Sequence, residues 1–162
     1  MKTSAEVVAE LDALLAVAGL HRHRVEEALT HIGPRLPMDT STIEGLPYED
    51  VASLELLLSR FGKLQDLLGA KVFPLLAELT AEPRPAGATF LDLLNRLEKI
   101  GALPSAAGWR LLREVRNALA HDYPDDPSLT AAGGNEVVNA LPSLFATHDA
   151  ILAHFRRVRT LA

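Results

Sequence analysis

The apolar residues of this chain recur at helical spacing along most of its length. The clearest stripe runs from Val51 to Leu68, where one helical face carries only valine, leucine and phenylalanine. The chain lacks runs of alternating apolar and polar residues rich in β-branched side chains, and it contains no Asn-Gly or Asp-Gly pair to mark a hairpin. The sequence therefore predicts an all-α fold.

Capping residues and helix breakers divide this pattern into segments. We expect helices from Thr3 to Gly33, from Tyr48 to about Leu79 with a kink at Pro74, from Thr89 to Gly101, after Ser105, and from about Glu136 to Val158. Glycines and prolines predict a loop over 33–47 and a break at Gly133-Gly134. The predicted architecture is an antiparallel helical bundle of about five helices, forming a single domain over residues 1–162.

The composition excludes several functional classes. The chain has 162 residues and is 48% hydrophobic, which is enough for one core. It contains no cysteine, so disulfides, thiolate metal sites and cysteine nucleophiles are excluded. Its apolar runs are far shorter than the roughly 20 residues that span a bilayer, and the acidic start does not resemble a signal peptide, so a cytoplasmic location with no membrane partner is expected. The net charge of -5 limits any contact with nucleic acid to a local patch.

The residues best suited to catalysis lie at and just beyond the end of the fourth predicted helix. Arg116, Asn117, His121 and Tyr123 lie within about two helical turns. Asn117 and His121 share a helical face, whereas Arg116 and His121 are about 140° apart on an ideal helix. The pair Tyr123-Pro124 favours an end to the helix near His121, because a residue before proline is pushed away from helical geometry. Arg116 and His121 are thereby predicted to converge.

This pattern resembles a known family. Arg-Asn-x-x-x-His over residues 116–121 is similar to the signature of the HEPN superfamily, all-helical dimers many of which are metal-independent ribonuclease toxins. The longer form Arg-x-x-x-x-His-x-Tyr, matched by Arg116, His121 and Tyr123, resembles the HepT toxins, which are paired with MntA-type nucleotidyltransferase antitoxins. The resemblance is sharpest over residues 109–127. It implies that Arg116 and His121 are catalytic, that Asn117 supports them, and that Tyr123 is the acceptor for inhibitory AMPylation by the partner.

The chemistry implied by this resemblance needs no metal ion and no other cofactor. A ribose 2′-hydroxyl attacks the adjacent phosphate, with His121 as the acid or base, because an imidazole titrates near neutral pH. Arg116 stabilises the charge on the non-bridging oxygens, and Asn117 orients the imidazole or the phosphate. The expected products are a 2′,3′-cyclic phosphate and a 5′-hydroxyl.

The family also implies a two-fold homodimer in which two copies of the motif face each other. Arg110 and Arg113 would then add positive charge to the shared cleft and contact the RNA substrate. The resemblance thus implies a metal-independent endoribonuclease toxin of a bacterial toxin-antitoxin system, bound by an MntA-like nucleotidyltransferase antitoxin.

Plainer interpretations of the same residues stay open. Arg116 can pair with Glu114 or Asp122 on a solvated face, and His121 can act as a cation at a helix C-terminus. A HEPN-like protein can also be catalytically inactive and serve as the partner or substrate-binding subunit of a nucleotidyltransferase, or the motif can be coincidental in a structural bundle. The alternating histidines at 21 and 23 point apart on a helix, so no metal site is predicted.

Overall fold

The structure is a computed structural model that describes residues 2–80, 86–120 and 125–160. Every regular element in these ranges is helical, which confirms the predicted all-α class. The helices are α1 (Ser4–Ile32), α2 (Thr40–Glu44), α3 (Tyr48–Leu67), α4 (Phe73–Glu78), α5 (Phe90–Lys99), α6 (Ala106–Leu119) and α7 (Pro127–Val158). A π-helical turn, Leu68–Val72, joins α3 to α4, so the described ranges contain five long helical segments and the short α2.

The predicted caps define the starts of three helices. The Thr3 amide donates to Glu6 Oε2 at 2.7 Å, and the Thr3 hydroxyl accepts from the Glu6 amide at 3.3 Å, which forms a capping box. Thr89 and Asp92 form the same box at the start of α5. The Ser105 hydroxyl accepts an amide hydrogen bond at 2.9 Å in the first turn of α6. These local signals place the helices correctly because both partners lie within one turn.

Polar contacts of α1 with α3 and with α7 show in which direction these two helices run relative to α1. Those between α1 and α3 are His31–Asp50 and His21–Arg60. Those between α1 and α7 are Arg22–Asp149 and Asp12–Arg159. In both sets the residue number rises along one helix as it falls along the other, so α3 and α7 both run antiparallel to α1.

The disturbance predicted at Pro74 is found just before that residue. The π-helical turn Leu68–Val72 ends where α4 begins, and Pro74 is the second residue of α4. The wider π-helical turn accommodates the proline within the continuous helical segment, because proline has no amide to donate to the preceding turn and its ring would clash with a carbonyl of a regular α-helix there.

The break predicted at Gly133-Gly134 is wrong, because α7 continues through both glycines. The helix starts upstream, at Pro127, where the Asp126 carboxylate accepts amide hydrogen bonds from the first turn. Gly134 is buried, and a β-carbon on it would lie 2.5 Å from Met38 Cε. The glycine therefore serves a close approach between segments and does not end the helix.

The loop predicted over 33–47 is partly correct. It contains a 3₁₀ turn, Gly33–Arg35, and the five-residue α2. Its middle is fixed to α7, because the Met38 amide donates to Asn135 Oδ1 at 2.8 Å and Asn135 Nδ2 donates to the Met38 carbonyl at 2.7 Å. One amide side chain thus satisfies both backbone groups of Met38.

A cluster of apolar side chains from all the long helices forms the core. Its largest fully buried members are Trp109, Phe61 and Phe73. None of the helices in the described ranges combines the length and apolar character required to cross a membrane.

Candidate functional site

One face of α6 is held against α3 and the π-helical turn. Trp109, Leu112 and Arg116 lie on this face, at spacings of three and four residues. The Trp109 ring is fully buried and packs against the Phe73 ring, with centroids 4.6 Å apart and planes tilted by 59°. It also lies directly over Gly69, where a β-carbon would come within 2.9 Å of Trp109 Cζ2. The small glycine allows α6 to approach the π-helical turn closely.

A buried hydrogen bond joins the two helices one turn further along α6. Gln65 is fully buried in α3, and its Nε2 donates to the Leu112 carbonyl at 2.6 Å. This contact fixes how α3 and α6 align, because breaking it would leave the buried Nε2 donor without its partner. It also places Asp66, the next residue of α3, beside the last turn of α6.

Arg116 forms a two-point ion pair with Asp66. Its Nε lies 2.9 Å from Asp66 Oδ1 and its Nη2 lies 2.8 Å from Asp66 Oδ2. These hydrogen bonds and the negative charge of the carboxylate raise the pKa of Arg116 above its ordinary value. Arg116 therefore pairs with a residue of α3, not with Glu114 on its own helix.

The pair leaves part of the guanidinium available for a ligand. The side chains are 31% exposed for Arg116 and 48% exposed for Asp66. A guanidinium carries five N–H groups, and the bonds to Asp66 use the Nε edge. The Nη1 group and the second N–H of Nη2 stay free of Asp66, so the same guanidinium can still offer paired donors to an anion.

The other predicted arginines lie with Asn117 on a second face of α6. Arg110, Arg113 and Asn117 line a groove of about 400 Å³ between α5 and α6, together with Glu114. The structure thus brings these predicted RNA-binding residues to the same groove as the motif asparagine. Arg116 points instead toward α3.

The remaining predicted site residues, His121 and Tyr123, lie outside the described residues. Within the described residues α6 ends at Leu119, two residues before His121. The convergence of Arg116 with His121 stays a prediction, as does the role of Tyr123.

Sequence reasoning missed Asp66. It lies in the same stretch as the apolar stripe of α3, where its charge indicates only a solvated face. The pairing depends on the alignment of α3 with α6, across 50 residues of chain, and nothing local to Asp66 predicts that alignment.

A second polar cluster lies away from this site, between α1 and α7. Arg22 Nη1 is 3.2 Å from His148 Nδ1 and 2.5 Å from Asp149 Oδ1, and the guanidinium stacks on the Phe145 ring at 4.6 Å. Burial lowers the pKa of the His148 imidazole, and the charge of Arg22 lowers it further, against the opposing charges of Asp149 and Glu26.

This cluster does not resemble a metal site. Within the three described ranges, no group of three or more histidine, aspartate and glutamate side chains is placed to hold a metal ion. The neutral imidazole of His148 instead packs as part of the interface between α1 and α7, where it is 3% exposed.

The buried histidine predicts a pH dependence of stability. In the unfolded chain the pKa of a histidine is about 6.5, whereas burial lowers the pKa of His148 in the folded protein. Between the two pKa values the unfolded state binds more protons, so the free energy of unfolding is expected to fall as the pH drops below about 6.5. His21 and His154, whose pKa values are also lowered by burial, act in the same direction.

Chemical denaturation at about pH 7.5 and about pH 5.5 measures this difference, above the range in which most carboxylates titrate. In a His148→Gln variant the difference between the two pH values is expected to shrink. If it were unchanged, the acid sensitivity could not be assigned to His148.

Comparison of the chain with models of protein families, with curated proteins and with solved structures gave no match. Fold and site together define the protein as an all-helical bundle that presents a carboxylate-held arginine beside a groove lined with two further arginines.

Proposed function

We propose that this chain is a HEPN-type ribonuclease, the toxin of a bacterial toxin-antitoxin pair, which cleaves RNA without a metal ion. The proposal rests on the sequence pattern Arg-Asn-x-x-x-His-x-Tyr over residues 116–123. The observation that carries it is the Arg116–Asp66 pair at the end of α6. A guanidinium that is 31% exposed, is held at two points and keeps N–H groups that Asp66 does not use is suited to binding a phosphodiester.

The proposed role of Arg116 follows from where charge develops. When a 2′-hydroxyl attacks the adjacent phosphate, negative charge grows on the non-bridging oxygens. Donors that are already oriented stabilise this charge without having to reorganise during the reaction. Asp66 would act as a positioning residue, since it holds the guanidinium but has no donor for the phosphate.

His121 would move the protons. The bond from the 2′-oxygen to phosphorus forms as the bond from phosphorus to the 5′-oxygen breaks. The 2′-hydroxyl proton passes to a base, and the leaving 5′-oxygen takes a proton from an acid. An imidazole that titrates near neutral pH can serve either step, and Asn117 would orient it or the phosphate.

In the proposed assembly, two copies of the chain form a two-fold homodimer with both motifs in one cleft. An MntA-like nucleotidyltransferase would be the antitoxin and would modify Tyr123. The alternative is a catalytically inactive HEPN-type protein that serves as the partner subunit of such a nucleotidyltransferase. RNA cleavage distinguishes the two.

The test is an RNA-cleavage assay with the purified chain in EDTA. We expect cleavage to persist in EDTA, to give 2′,3′-cyclic phosphate and 5′-hydroxyl ends, and to be absent with an all-2′-deoxy substrate of the same sequence. A His121→Ala variant is expected to cleave about 100-fold more slowly, since a positioned acid or base contributes at least about that factor.

Other results of these measurements would contradict different parts of the proposal. A folded dimer that does not cut RNA would favour the inactive partner subunit. Cleavage that EDTA abolishes, or that His121→Ala leaves unchanged, would contradict the proposed mechanism. A monomer in light scattering with full activity would contradict the shared cleft.

A further inference from the structure

The groove between α5 and α6 has two chemically different walls. The α5 wall is apolar and is formed by Phe90, Leu91 and Leu94. Phe90 is 38% exposed and Leu91 is 45% exposed, so this wall is open to solvent. The α6 wall carries Arg110 and Arg113 among its polar residues. An apolar face opposite two cations suits a ligand that is both flat and anionic.

The cations of the α6 wall are available to such a ligand. In the described part of the chain, neither Arg110 nor Arg113 forms an ion pair with a carboxylate. The Arg113 guanidinium lies over one face of the Phe90 ring, 5.7 Å from its centre, so the cation and the aromatic ring are adjacent in the groove. Glu114 also lines the groove, so its local charge is positive by one unit against a net charge of -5 for the whole chain.

We propose that this groove binds one nucleotide of single-stranded RNA, with its base against Phe90 and its phosphate on Arg113. Aromatic side chains stack on bases only when those bases are not already stacked in a duplex, and arginines of such sites contact the backbone. The volume of about 400 Å³ lies in the range of small-ligand sites.

The position of the groove connects it to the proposed catalytic residues. Asn117 lines the groove and directly follows Arg116 in α6. Arg116 lies about 100° further around α6 and points toward α3, so the strand would have to continue around α6 from the groove to Arg116. The groove would then select a nucleotide near the cleaved bond. This inference rests on the proposed ribonuclease function for its substrate.

Binding can be measured separately from cleavage. The probe is a fluorescent single strand of about eight nucleotides with 2′-O-methyl groups throughout, which blocks attack by the 2′-oxygen. Phe90→Ala is expected to weaken its binding about tenfold, as loss of one stacking contact does, whereas Phe90→Trp should preserve binding. Tyr48→Ala is the matched control, because Tyr48 is an 82% exposed aromatic residue on α3 that does not line the groove.

The phosphate contact has its own measurement. Arg113→Ala is expected to weaken binding and to reduce the dependence of log K on log salt concentration by about 0.7, which corresponds to one phosphate contact on a single strand. Circular dichroism on each variant checks that the helices are retained.

The proposal is overturned if the wild type does not bind the probe, if it binds a duplex of the same sequence as tightly, or if Phe90→Ala and Arg113→Ala bind like the wild type. If RNA is cleaved in EDTA but these variants bind the probe normally, the proposed ribonuclease activity is supported and nucleotide binding in the groove is contradicted. If RNA is not cleaved but the variants lose binding, nucleotide binding in the groove is supported and the proposed catalysis is contradicted.

Discussion

Replacing Arg116 with lysine is expected to slow RNA cleavage by about 10²- to 10³-fold, the usual effect of removing one donor to a charged transition state. Lysine keeps the positive charge but has no planar fork of N–H groups, so it cannot bind Asp66 at two points and a phosphate at the same time. Asp66→Asn is expected to lower kcat as well, by a smaller factor, because the guanidinium remains but loses its charged partner.

A second two-point pair provides the control for this experiment. Arg159 donates to both carboxylate oxygens of Asp12, at 3.0 and 3.1 Å, between α7 and α1. The two side chains are 43% and 46% exposed, which is similar to the Arg116–Asp66 pair. Arg159→Lys is therefore expected to leave kcat unchanged. Wild-type rates in Arg116→Lys, with helices retained by circular dichroism, would remove Arg116 from the mechanism.

Replacing Trp109 with alanine is expected to lower the free energy of unfolding by about 3–5 kcal/mol, since a fully buried ring leaves a large cavity. The same contact can be disturbed from the other side. Gly69→Ala places a methyl group 2.9 Å from a ring atom that is packed on all sides, and is expected to cost about 1–3 kcal/mol. Denaturant titration measures both effects.

Gly62 is the matched control on the same helical segment. A β-carbon at Gly62 would meet no atom within 4 Å. Gly62→Ala is therefore expected to leave the stability unchanged or to raise it by up to about 1 kcal/mol, because alanine loses less backbone entropy in a helix. If Gly69→Ala were as benign as Gly62→Ala, Trp109 would not be limiting the approach of α6.

The parts of the fold that could be predicted from sequence are those encoded within one helical turn. The caps at Thr3, Thr89 and Ser105 were predictable because each side chain bonds an amide three residues away. The continuation of α7 through Gly134 was not, because that part of α7 packs against Met38, almost 100 residues earlier in the chain.

The same limit applies to the candidate site. Arg116, Asn117, Arg110 and Arg113 could be identified because their spacing on one helix is visible in the sequence. Their partners could not be, since Asp66 and Phe90 belong to other helices. Which side chain meets which across a bundle depends on how far each helix is displaced along its neighbour, and buried contacts such as Gln65 to Leu112 set that displacement.

The carboxylate of Asp66 also has a thermodynamic consequence for Arg116. A free arginine side chain loses about 2 kcal/mol of rotamer entropy when it is fixed. Here a large part of that loss occurs as the chain folds, when α3 and α6 come together. Association with RNA would then have little left to order at this position, so more of the intrinsic attraction between guanidinium and phosphate would appear as affinity or as rate.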